Sequence, residues 1–168
     1  GNSYYAGEFG HTHAANNGQL CFCGHTGCLE TISSKQYILS TVREGLHQGV
    51  NSEVLKYCDN DFSKLQIEHL VTAANNGGRL ARNVFEQTGR HLGEKLADIA
   101  NIFNPEMIVL RGPVIDGNRF LFETIERIVM NSSLRQIAKS LKVIYSEEQS
   151  DMRVQGISNV ILHDYFTQ

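Results

Sequence analysis

No apolar run in these 168 residues approaches the roughly twenty needed to cross a bilayer. A helical membrane anchor within this sequence is thereby excluded. Nothing in it resembles a secretory leader or an extracellular disulfide framework either. Proline occurs only twice, at Pro105 and Pro113, and no stretch is of low complexity or repeats internally. Those absences exclude a proline-rich linker and a repeat array. Charge of one sign is also missing. Fifteen Lys and Arg stand against 18 Asp and Glu, a net charge of −3, and the signs are mixed along the chain. No basic face for nucleic acid follows from that pattern. What remains is a globular chain, 41% hydrophobic, long enough to bury a core and read as one domain, 1–168.

Cysteine is sparse but crowded. Three of the four cysteines, Cys21, Cys23 and Cys28, fall within eight residues. Zinc in structural sites takes four thiolate or imidazole donors in a tetrahedron. Gly24 and Gly27 supply the tight turns that bring three sulfurs to one ion, because glycine accepts backbone angles that a side chain forbids. The fourth donor is His11, His13 or His25. The backbone of His25 is committed to the cysteine loop, whereas His11 and His13 lie upstream and can swing back. Such a saturated site leaves no position for water, so the expected metal is structural. The competing reading is free or disulfide-bonded cysteines. A Cys21–Cys23 bridge would close a very small, strained ring, while Cys28 can pair with either of them or with Cys58. The thiol-rich motif suits a reducing cytoplasm. Cys58 stands alone and reads as a small buried core thiol.

Two carboxylates flank the loop. Glu8 lies three residues before His11 and Glu30 two after Cys28. If His11 meets the metal through one ring nitrogen, the other can donate a hydrogen bond. With two carboxylates it makes a clamp for vicinal hydroxyls. The alternative for Glu8 and Glu30 is a pair of solvated surface charges.

Gly7-Glu8-Phe9-Gly10-His11 and Cys21-x-Cys23-Gly24-x-x-Gly27-Cys28-Leu29-Glu30 resemble the signature of the ROK family (repressors, open reading frames and sugar kinases). The likeness continues through Gly89-Arg90-His91-Leu92-Gly93 and Asn104-Pro105-Glu106-Met107-Ile108-Val109-Leu110. The resemblance implies zinc held by His11, Cys21, Cys23 and Cys28. It implies contacts from Glu8, His11 and Glu30 to a hexose or hexose phosphate, so that residues 7–30 form one zinc- and sugar-binding motif. It also implies an α/β fold, the C-terminal lobe of an actin-like, ribonuclease-H-like ATPase fold with the zinc loop near its N-terminus. The chain is then a C-terminal fragment of a longer protein, which forms a homodimer or higher homo-oligomer. The missing half would carry further sugar contacts, a catalytic aspartate if there is one, and any DNA-binding domain.

Apolar spacing supplies the elements. A helix is expected over 29–48, with Ile32, Leu39, Val42 and Leu46 inward and Ser33 or Ser34 as its cap. A short helical turn is expected at 54–57, then helices over 67–75 and 79–103. Leu80, Val84, Leu92, Leu96, Ile99 and Phe103 mark the buried face of the longest helix. Gly89 and Gly93 inside it each cost about 1 kcal/mol against alanine, so a close packing contact is expected there. Pro105 ends it at Asn104. Residues 107–110 read as a buried parallel strand. A helix over 119–131, with Phe120, Ile125, Ile128 and Val129 inward, a strand over 141–145 and a helix over 152–165 complete the pattern.

The turn after Leu110 separates two functions. Kinases of the family typically place a run of glycines here, where the backbone approaches the nucleotide. This chain has Arg111-Gly112-Pro113, and proline has no N–H to offer. The repressors show a similar loss, and Leu29-Glu30-Thr31-Ile32 resembles those that respond to N-acetylglucosamine or glucose. The resemblance therefore favours a zinc-stabilised, sugar-sensing transcriptional regulator, with DNA bound through a domain outside this sequence and no catalytic residue within it. The alternative is an ATP-dependent sugar kinase.

Overall fold

The computed structural model describes residues 2–145. Among the described residues 2–29, the regular elements are short 3-10 turns, Asn2–Tyr4 and Phe9–His11, and two isolated antiparallel bridges. Helices α1 (Glu30–Ser33), α2 (Lys35–His47), α3 (Ile67–Asn75) and α4 (Arg79–Phe103) follow. Then come strand β1 (Met107–Leu110), α5 (Arg119–Ser132), α6 (Arg135–Ala138) and strand β2 (Lys142–Tyr145). The helix expected over 152–165 lies outside the described residues. The architecture is α/β.

Helix α4 is the central element: α1, α2, α3 and α5 all pack against it. Its buried side runs Ala81, Val84, Phe85, Thr88, Gly89, Gly93, Leu96, Ala97 and Ala100, a stripe with helical period. The two glycines have the packing reason expected of them. A β-carbon at Gly89 would stand 2.7 Å from Thr124 Cγ2, and one at Gly93 would stand 2.6 Å from Ile128 Cβ. Helix α5 thus comes closer to α4 than any side chain would allow. Asn104 ends α4 in the left-handed conformation (φ 46°, ψ 55°), with its N–H on the Ala100 carbonyl at 2.9 Å. The chain leaves for Pro105 through that bend, not through the extended conformation usual before proline.

Three expectations need correction. The helix expected over 29–48 is two helices. Ser34 is extended (φ −68°, ψ 157°) and its hydroxyl accepts the Tyr37 N–H at 3.2 Å, so one serine both ends α1 and caps α2. Phe103 does not join the buried face: the stripe rotates past it near the helix end, and it is 73% exposed. Strand β1 is not buried. Its register pairs Met107 with Lys142, Ile108 with Val143 and Val109 with Ile144, in parallel. Ile108 and Val143 face the helices, while Met107 (45%) and Val109 (41%) are exposed. The helices cover one face of this two-stranded sheet, and no described element covers the other. Cys58, by contrast, is buried as expected.

Candidate metal centre and ligand cleft

The loop that carries the cysteines is closed by backbone hydrogen bonds. The N–H of Cys21 donates to the His25 carbonyl at 2.7 Å and that of Gly24 to the Cys21 carbonyl at 3.0 Å. Further out, Ala14 donates to Gly27 (2.8 Å), Gly27 to Gln19 (3.1 Å) and Leu29 to Thr12 (2.9 Å), which ties the incoming and outgoing strands together. Gly27 is indispensable to that closure. It has φ +74°, and a β-carbon there would stand 2.1 Å from the Ala15 carbonyl oxygen.

The closed loop brings four donors together. His11, Cys21, Cys23 and Cys28 place their ligand atoms within 4.8 Å of one another. Cys21 Sγ lies 3.5 Å from His11 Nδ1, and Cys23 Sγ lies 3.5 Å from Cys28 Sγ. A tetrahedral zinc ion with ordinary bond lengths sets sulfurs about 3.8 Å apart and a sulfur–nitrogen pair about 3.5 Å apart. The donor set and its spacing therefore fit such an ion with little movement. His11 supplies the imidazole of this group. His13 and His25 do not belong to it: Nε2 of His13 lies beside Gly27, 3.2 Å from where a β-carbon there would stand, and the ring of His25 sits outside the cluster, with Nδ1 3.6 Å from Cys23 Sγ.

The thiols are not equivalent. The His25 backbone N–H, and next its ring, hold Cys23 down to about 6. Burial first, then the contact with Cys23, pushes Cys28 up to about 12. A bound dication draws every one of them to the thiolate, releasing protons as it does so.

The carboxylates meet the cluster from the other side. With Nδ1 turned to the cysteines, His11 presents Nε2 to Glu8, whose Oε2 is 3.7 Å away. Glu30 opens α1, a favourable place for a negative charge. Its Oε2 lies 3.0 Å from where a β-carbon on Gly10 would stand. Glycine at position 10 thus leaves room for the Glu30 carboxylate beside the Glu8–His11 turn. Glu8, Phe9 and Thr12 also line an open cleft of about 470 Å³. Its far wall is Lys95, Asp98, Ile102 and Phe103 of α4, with Lys95 and Asp98 paired at 2.9 Å. The sequence marks none of these α4 residues as part of a site, since an i,i+3 ion pair is ordinary on a helix surface.

The turn after β1 is occupied by its own side chain. Gly112 (φ +127°) donates its N–H to Asp116 Oδ1 at 3.1 Å, and its carbonyl accepts from Ile115 and Asp116. Asp116 was not singled out in the sequence. An Asp four residues after a glycine is a turn signal too common to select it.

Fold and site together define an α/β protein with a half-buried Cys3His cluster set against two carboxylates. The chain belongs to the ROK family, whose model matches residues 1–163. It is 36% identical over 141 residues to the DNA-binding transcriptional dual regulator NagC of Escherichia coli, a match covering 84% of this chain and 33% of the relative. It is 29% identical to a glucokinase of Thermotoga maritima, covering 92% of this chain and 48% of the enzyme. The crystal structure of a ROK family transcriptional regulator, a homolog of the E. coli Mlc protein, superposes with a TM-score of 0.72 at 33% identity, covering 82% of this chain and 33% of that one. The chain thus spans about a third of the length of these regulators.

Proposed function

We propose that this chain is the sugar-sensing and oligomerising part of a ROK-type transcriptional regulator. Residues 1–168 form one domain of a longer cytoplasmic protein, the C-terminal lobe of an actin-like fold, and residues 7–30 form the binding motif within it. The observation that carries the regulator reading is the turn after β1. A phosphate needs free backbone N–H groups there. Pro113 has none, and the Gly112 N–H is already given to the Asp116 carboxylate, whose charge repels an anion.

His11, Cys21, Cys23 and Cys28 hold a structural zinc ion. Four protein donors complete its tetrahedron, so its contribution is to tie the loop together and not to activate water. His11 then has a fixed ring orientation, with Nε2 free to donate to a hydroxyl. Glu8 and Glu30 accept from neighbouring hydroxyls of a hexose or hexose phosphate, together with residues outside this chain. Effector binding shifts the balance between two arrangements of the longer protein by favouring one of them. DNA is bound through a separate domain.

Replacing Cys23 by serine tests the metal assignment. Elemental analysis of the Cys23→Ser protein is expected to show most of the zinc gone, with a lower unfolding temperature. Full zinc at unchanged stability would mean that the ligand set is wrong. The second reading, an ATP-dependent sugar kinase, is favoured by the likeness to the Thermotoga glucokinase. It would use the same sugar clamp with an aspartate base from elsewhere.

A further inference from the structure

The three cysteines of the cluster differ in what surrounds them. Cys21 (4%) and Cys28 (1%) are buried, whereas Cys23 is half-exposed. Its neighbours leave the approach open: Phe22 is 85% exposed, and no atom lies within 4 Å of where a β-carbon on Gly24 would stand. Behind Cys23, at 3.5 Å, lies the sulfur of Cys28. A disulfide between them needs the sulfurs to close by about 1.5 Å, to about 2.05 Å. Of the four residues between them, Gly24 has open space around it, which eases that movement for the backbone.

We propose that Cys23 and Cys28 are a modification site for a peroxide: oxidation joins them in a disulfide and releases the metal. This rests on the reading that the cluster holds zinc. The Cys23 thiolate attacks one peroxide oxygen, and the O–O bond breaks. Cys23 becomes a sulfenic acid and hydroxide leaves. The Cys28 thiolate then attacks the Cys23 sulfur, the S–S bond forms and a second hydroxide leaves. The two sulfurs lose two electrons and the peroxide gains them, while the metal stays divalent. Two of four donors are lost, and the remaining Cys21 and His11 do not hold zinc. The ring of His11 and the segment that carries Glu30 lose their anchor, so the sugar clamp loosens. Reductant and zinc restore it.

The test uses the zinc-loaded full-length protein, hydrogen peroxide and a chromogenic zinc chelator, with disulfides mapped by mass spectrometry without reduction. Zinc is expected to appear in proportion to the loss of two thiols per chain, with a peptide link between Cys23 and Cys28, and reductant plus zinc should reverse both. Zinc retained while peroxide is consumed, or zinc lost without that link, overturns the proposal while leaving the metal assignment standing. A protein that carries no zinc before treatment overturns the metal assignment, and this proposal with it.

Discussion

Single atoms decide what the N-terminal loop can do. Gly27 has no room for a β-carbon, and Gly10 is bare where the Glu30 carboxylate comes to rest. The Cys-x-Cys and Gly-Cys spacing was legible in the sequence because three sulfurs so close together allow few other uses. The choice of His11 over His13 and His25 was not legible from spacing alone. It depends on where the folded loop aims each ring, and that of His13 lies with Nε2 beside Gly27. Cys58 belongs at this scale too. Burial, then Asp61 and Asp59, raises its thiol above the ordinary 9.0. The folded chain therefore holds this proton more tightly than the unfolded chain does. Its contribution is complete below pH 9 and is lost as pH rises through the folded value. Urea titration of the zinc-loaded protein should show stability falling above about pH 9. In Cys58→Ala that component of the slope should vanish; a slope unchanged from the parent would assign the effect elsewhere.

At the scale of elements, the α4–α5 contact carries the most consequence. An alanine at Gly93 gains about 1 kcal/mol of helix propensity. It also drives a methyl to within 2.6 Å of Ile128 and 3.2 Å of the Ile125 carbonyl. Overpacking of that kind costs about 1–3 kcal/mol, so Gly93→Ala is expected to lower the unfolding free energy by about 1 kcal/mol, read from its denaturant midpoint. A stabilised variant would show that α5 yields easily. Helix α4 was legible throughout its length, because a 25-residue apolar period with a proline beyond it has one natural reading. Ser34 was legible as a cap candidate and does cap α2, but the separate turn of helix before it was not, because the apolar period continues across the serine. Strand β1 was read as buried from its unbroken run of Met107 to Leu110. Such a run gives no information on which layers are present to cover it.

At the scale of the whole molecule, the proposed sugar clamp and the turn after β1 bear on one question, whether the protein transfers phosphate. Glu8 stands 3.7 Å from His11 and Glu30 beside Gly10, while the Gly112 N–H is taken by Asp116. Asp116 is the residue that composition and spacing could not reveal, since its role depends on the turn geometry that brings its carboxylate back to Gly112. The regulator proposed above would bind a hexose or hexose phosphate and transfer nothing. The most direct measurement is a calorimetric titration of the full-length protein with a panel of hexoses and hexose phosphates, with and without magnesium ATP, with ADP assayed at the end. One sugar should bind, Glu30→Gln should abolish its heat, and ATP should change nothing and remain unconsumed. ADP accumulating together with a newly phosphorylated sugar would contradict this account and make the protein a kinase.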